Sequence, residues 1–315
     1  MESKLEPARR KVNNPKQLRR NRIRRNWDLY LLVLPVIVYF LIFKYYPMYG
    51  VQIAFKDFIA IEGIWGSPWV GFEHFTRFFN SFYFDRLLTN TIGLSLYNLA
   101  IGFPIPIILA LLINEIRLKK AKSFVQTVTY APHFLSTVVV VGMLFLLLSP
   151  SGIVNQFLGL FGLSEISFMT EPEWFKTTYV FSGVWQQMGW SSIIYLAALA
   201  GIDPQLHEAA KIDGASRLKR IWHVNLPGIR STIIILLILQ TGSIVSVGFE
   251  KVFLMQNQLN MEASDVIATH IYRTGIAGAQ YSYSAAIGLF ESVINFFLLI
   301  LVNYTAKKTS QTSLW

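Results

Sequence analysis

Apolar residues in this chain gather in long continuous blocks, rather than alternating at strand spacing or repeating as the narrow stripe of a surface helix. Six blocks stand out, over about residues 27–46, 87–114, 125–148, 177–200, 229–249 and 284–304. Each is long enough, at about 1.5 Å of rise per residue, to cross a hydrocarbon layer roughly 30 Å thick. The pattern predicts an all-α membrane protein with six transmembrane helices. It divides the chain into a tail over 1–26, a transmembrane domain over 27–306 with a polar connection at 201–228, and a short tail over 307–315. The first block ends in Lys44, Tyr45, Tyr46 and Pro47 rather than a small-residue cleavage site, so it is expected to be a retained helix. Pro35, Gly102, Pro104, Pro106, Gly183 and Gly189 fall inside blocks. They are expected to break helices and free carbonyls, which lipid tolerates only beside other helices or a water-filled cavity.

Charge adds an orientation. The chain is 53% hydrophobic and 15% charged, with a formal charge of +10. The tail 1–26 holds ten Lys or Arg residues from Lys4 to Arg25, and further clusters lie at 115–126, 201–230 and Lys307–Lys308. Basic residues beside a span resist translocation. Both termini and the connection 201–228 are therefore expected to face the cytoplasm, with 47–86, 149–176 and 250–283 outside. The basic tail has no aromatic residue before Trp27 to stack on bases, so it reads as an orientation signal near anionic lipid and not as a nucleic-acid arm. Cysteine is absent, which excludes disulfides and thiol chemistry. The five histidines are scattered, with no spacing that suggests a metal site. No phosphate-cradling GxxxxGK[ST] loop and no nucleophile motif occurs, so neither a catalytic residue nor a cofactor is expected in this chain.

The connection GIDPQLHEAAKIDGASRLKRIWHVNLPG, over 201–228, is the most informative stretch. Asp203 is placed to cap a helix whose first position is Pro204. That helix should run to Ile212 and break at Asp213 and Gly214. A second helix over 215–224 would put Leu218, Ile221 and Trp222 on one face and stop at Pro227. The result is a compact knob, with Glu208, Ala209 and Ala210 suited to close approach by a partner. A basic amphipathic helix lying on lipid is the plainer alternative, but it requires neither the Gly214 break nor the Leu226–Pro227 stop.

This segment resembles the EAA loop of ABC importer permeases: Glu208, Ala209, Ala210, Gly214, Leu226 and Pro227 match in register, with Val224 at a position usually held by isoleucine. The runs at 43–58, 67–75, 130–145 and 270–275 are similar to permeases of the MalF/MalG carbohydrate class, especially the LplB-type polysaccharide and oligosaccharide subgroup. The resemblance implies a type I importer transmembrane domain in the bacterial cytoplasmic membrane. It also implies a second similar permease, an extracytoplasmic binding protein that delivers a sugar, and two ATPase subunits that hold ATP and magnesium. It makes the loop, including Asp213, the coupling element that seats in the ATPase. Sugars are held by planar polar groups and aromatic faces, so Trp185, Gln186, Trp190, Gln240 and Ser243 are the expected pathway residues. The alternative is that they make packing hydrogen bonds between helices. Glu291, inside the last block, would hold a buried partner or serve a proton relay. A secondary transporter or channel not driven by ATP is the competing function, and would be expected to show inverted repeats or a chain of ionisable groups.

Overall fold

The computed structural model describes residues 25–310 and 313–314. Most of the basic tail lies outside the described residues, as do positions 311, 312 and 315. The chain divides into two units, Met1–Gln52 and Ile53–Trp315.

In the first unit, helix α1 (Trp27–Phe40) continues through a widened π turn (Leu41–Tyr45) into Tyr46–Met48. The helix is apolar on every side and buries none of its residues, the pattern of a helix solvated by lipid. Pro35 sits within it and does not end it.

The second unit opens with an irregular segment in which two separated runs meet. The amides of Val70 and Gly71 donate to the Phe55 carbonyl at 2.9 and 3.1 Å, and the Asp57 amide donates to Pro68 at 3.0 Å. A φ of 63° at Gly71 lets the chain turn there. Lys56 is buried against the Trp69 ring and donates to the carbonyls of Ile64 and Trp65.

Helices α2 (Phe84–Gly102) and α3 (Pro104–Glu115) run on through Phe103 as one apolar stretch of 32 residues. Pro104 occupies the first position of α3, where a missing amide costs little. Helix α4 (Lys119–Tyr130) leads through a short turn into α5 (Thr137–Leu147), the two meeting at 100°. Helix α6 (Pro172–Ala200) packs against α2, α3 and α4. There follow α7 (Pro204–Ile212), α8 (Arg217–Gly228) and α9 (Arg230–Thr241), with 61° between the last two. Helices α10 (Phe249–Met255), α11 (Ile267–Ile271) and α12 (Tyr281–Ser310) complete the unit. Among the described residues there is no strand, and one isolated bridge joins Lys56 to Trp69. The fold is all-helical.

Three buried clusters hold the unit together. One surrounds Leu94, Val180 and Val252, a second Phe78, Leu87 and Ile287, and a third Ala110, Leu199 and Ile229. Among the described residues, three helices are long and apolar enough to cross a membrane, or five if the bent pairs α4–α5 and α8–α9 each count as one span.

Two blocks read as single spans differ in the structure. The block at 125–148 is two helices, because the backbone turns extended at Leu135 and Ser136, with ψ of 136° and 152°. The block at 229–249 is helical only to Thr241. Gly183 and Gly189 do not break α6, which is continuous through both. Gly189 is a contact point instead: a Cβ there would run into the Thr129 carbonyl, so α4 lies directly against the backbone of α6.

Candidate functional site

The connection between α6 and α9 is built from its caps. The Asp203 carboxylate accepts from the Gln205 amide at 2.9 Å, and Pro204 takes the first helical position. At the other end of α7, Gly214 adopts a φ of 73°. Its amide donates to Lys211 at 3.0 Å while the Ala215 amide donates to Ala210 at 2.9 Å. This paired arrangement satisfies two terminal carbonyls, and the left-handed residue it requires is most easily glycine. Ser216 caps α8 by accepting from the Lys219 amide at 3.4 Å.

Proline does not end α8 as its sequence suggests. The helix widens to a π turn over Ile221–Asn225 and continues through Leu226–Gly228. The wide turn accommodates the amide that Pro227 lacks. The ends of the loop are fastened to the third cluster by Ile202, Ile221 and Leu226. They meet closely at Gly228, where a Cβ would lie 2.6 Å from Ile202 Cδ1.

Of the residues expected to couple, Glu208, Ala209, Asp213, Gly214 and Pro227 are exposed, and Ala210, Val224 and Leu226 are half-buried. Leu206, Ile212, Leu218 and Trp222 are exposed as well. Ile221, expected on the same face as Leu218 and Trp222, turns instead to the core.

A cavity of about 990 Å³ opens between α2, α3, α6, α9 and the start of α10. Gln186, Trp190 and Gln240 line it. Ser243 lines a smaller adjoining cavity, shared with Gln240. Trp185 lines neither and points elsewhere, with 41% of its surface exposed. Trp190 is stacked on His133 with ring centroids 4.3 Å apart, and His133 Nδ1 lies 2.8 Å from Gln187 Oε1.

Gln186 Nε2 donates to the Leu135 carbonyl at 2.9 Å, a packing role at the α4–α5 bend. Tyr179, Asn98 and Lys251 also line the large cavity and were not among the expected pathway residues. The signal that points to Lys251 is a cation two residues past an apolar block, next to Glu250. Tyr179 and Asn98 have no comparable signal, because an aromatic or an amide within a span is ordinary.

Glu291 finds its partner within the chain. Ser246 Oγ donates to Glu291 Oε1 at 2.7 Å, and Asn295 Nδ2 donates to Ser246 Oγ at 3.0 Å. Asn295 Oδ1 accepts from the Val245 amide at 3.0 Å, and Asn90 Nδ2 donates to the carbonyls of Glu262 and Asp265. These asparagines are packing contacts. Among the described residues no three His, Cys, Asp or Glu side chains gather as metal ligands do.

A buried clasp holds the far end of α2. Asp265, with no side-chain exposure, accepts from Arg86 and Arg273 at 2.9 Å each. His270 lies beside it and is itself buried.

The family model described as "Binding-protein-dependent transport system inner membrane component" matches residues 102–311. The Bacillus subtilis (strain 168) polygalacturonan/rhamnogalacturonan transport system permease protein YteP is 47% identical over 91% of this chain and 90% of its own length. Protein LplB of the same organism is 46% identical over 93% and 92%. The crystal structure of a bacterial alginate ABC transporter in complex with alginate pentasaccharide-bound periplasmic protein contains a chain of 42% identity. It superposes with a TM-score of 0.86 over 93% of this chain and 99% of that one. Likeness of this extent gives the second unit its type I importer architecture. With a family model matching more than half of its residues, the chain belongs to the inner membrane components of binding-protein-dependent transport systems, as a permease subunit of an ABC importer.

Proposed function

We propose that this chain forms half of a translocation pathway for an oligosaccharide or a polysaccharide fragment in the bacterial cytoplasmic membrane. It pairs with a second, similar permease and with two ATPase subunits that bind ATP and magnesium. An extracytoplasmic binding protein delivers the sugar. The chain itself is non-catalytic, with six spans and both termini in the cytoplasm. The named relatives support the substrate class: one carries polygalacturonan and rhamnogalacturonan, and the solved neighbour carries alginate.

The observation that carries this reading is the loop between α6 and α9. It is folded by its own caps, fastened at its base to the core by Ile202, Ile221 and Leu226, and exposed at its tip. A rigid element with an exposed apolar face, including Leu218 at 70% and Trp222 at 66% exposure, is suited to a cleft in a partner. Glu208, Ala209, Ala210, Asp213 and Gly214 form its outward part, and Val224, Leu226 and Pro227 its base. Force applied at the tip reaches α6 and α9 directly, and these helices line the large cavity. Gln240 offers an amide, Ser243 a hydroxyl and Trp190 an aromatic face to a sugar, while Gln186, whose Nε2 is taken by the Leu135 carbonyl, leaves its Oε1 as an acceptor.

Glu208→Lys and Gly214→Pro test the coupling. Proline cannot adopt a φ near 73°, and the lysine reverses the charge at an interface. Both variants are expected to insert in the membrane, to lose the ATPase on co-purification, and to lower uptake by roughly tenfold or more. Uptake at the wild-type rate in both would defeat the coupling role and favour a transporter not driven by ATP.

A further inference from the structure

The large cavity holds one buried charge. Its charged lining residues, among those described, are Glu250 and Lys251. Glu250 is exposed, so its charge is solvated and screened. Lys251 keeps only 8% of its surface. Its Nζ donates to the Tyr179 carbonyl at 2.8 Å and stands 4.8 Å from the centre of the Tyr179 ring. Both partners are neutral. Among the described residues no carboxylate pairs with Lys251 within 4.0 Å, in contrast to Asp265 with its two arginines. An ammonium carries three donors, and this one has a single hydrogen bond among the described residues.

The position is built by its neighbours. Gly183 faces Lys251, and a Cβ there would lie 3.1 Å from Nζ. A Cβ at Gly248 would lie 3.2 Å from the Tyr179 hydroxyl. Two glycines thus admit the lysine and the tyrosine that holds it. Lys56 is a useful contrast: at 3% exposure it too is buried, but it serves two backbone carbonyls and a tryptophan ring and lines neither cavity. Lys56 is a structural cation. Lys251 reaches a cavity wide enough for a ligand and leaves donors over. Burial pushes it down to about 8, so at neutral pH it still holds its proton, without a fixed counter-ion to offset the desolvation.

We propose that Lys251 reads the carboxylate of an acidic saccharide, a uronate, as it passes through the cavity. The neighbouring amides of Gln187, Gln240 and Asn98 suit sugar hydroxyls, and one lysine matches one negative charge. A phosphate ester, with nearly two charges, would leave about one of them unmatched by a single lysine. This inference rests on the sugar-permease reading above and narrows its substrate class.

The test uses the whole transporter, with its partner permease, ATPases and binding protein, reconstituted in liposomes. Uptake of trigalacturonate is measured against uptake of the neutral galactose trimer. Lys251→Gln keeps a donor for the Tyr179 carbonyl without the charge, and Lys251→Met removes both. In each, the acidic-to-neutral uptake ratio is expected to fall roughly tenfold, with the assembled complex keeping its thermal midpoint. An unchanged ratio in Lys251→Gln would overturn the proposal, as would a fall accompanied by loss of assembly in both variants. Wild-type transport of the neutral trimer in preference to the acidic one would overturn it while leaving the sugar reading intact. Wild-type transport of neither would overturn the sugar reading itself.

Discussion

Asp265 and His270 show how a single buried residue ties chemistry to stability. Arg86 comes from α2 and Arg273 from the turn after α11, and both converge on one carboxylate with no exposure. His270 Nδ1 lies 3.3 Å from an Arg273 guanidinium nitrogen, which can only donate, so Nδ1 accepts and Nε2 carries the proton of the neutral ring. Burial lowers the His270 pKa from its ordinary value of 6.5, the two arginines lower it further, and Asp265 opposes them. The sign of the pH dependence follows. Below about pH 6.5 the unfolded chain binds a proton that the folded chain resists, so His270 withdraws stability as pH falls. Between pH 8 and pH 5.5 the thermal midpoint of the detergent-purified wild type is expected to drop more than that of His270→Asn, whose side chain does not titrate. Parallel midpoints in the two proteins would show that His270 does not govern this dependence.

The bend between α4 and α5 shows what an element owes to a residue on its neighbour. Turning through 100° leaves the Leu135 carbonyl without a helical partner, and an unpaired carbonyl in lipid costs several kcal/mol. Gln186 on α6 supplies the donor at 2.9 Å, and Ser136 caps α5 by accepting from the Val139 amide at 3.3 Å. Gln186→Leu is therefore expected to destabilise the protein by about 1–3 kcal/mol, read as a lower thermal midpoint in detergent without any sugar present. If Gln186 served the sugar alone, the unliganded midpoint would not move. The bend itself was illegible in the sequence. Hydropathy over 125–148 reports how apolar the chain is, not where it changes direction. The helix α7 was legible almost to the residue, because Asp203, Pro204 and Gly214 are local signals whose geometry needs no tertiary context. Helix α8 was not, since the π turn that carries it past Pro227 depends on packing of Ile221 and Leu226 against the core.

At the scale of the whole molecule, the helical class and the family could be read from apolar blocks and from one spaced motif, because both are written in consecutive residues. The cavity could be read only in part. Gln186, Trp190 and Gln240 share it through the packing of α6 beside α9, whereas Lys251 enters from a segment beyond the blocks and Trp185, one residue from Gln186, faces away. The crossing pattern is the remaining global feature, and the natural absence of cysteine makes it measurable. Ile61, at 98% exposure, and Leu259, at 70%, lie in segments expected outside, while Lys211 lies in the loop expected inside. Single cysteines at Ile61, Leu259 and Lys211 should therefore separate under a membrane-impermeant maleimide applied to intact cells or protoplasts. The first two are expected to label at once and Lys211→Cys only after permeabilisation. Basic residues cluster around Lys211, at Arg217, Lys219, Arg220 and Arg230, and each resists export during insertion. Helix α12 is expected to cross between the outer segment and Lys307–Lys308, so Lys308→Cys should behave as Lys211→Cys does. Labelling of Lys211→Cys from outside would put the loop out of reach of any cytoplasmic ATPase, and the coupling mechanism would fall with the topology.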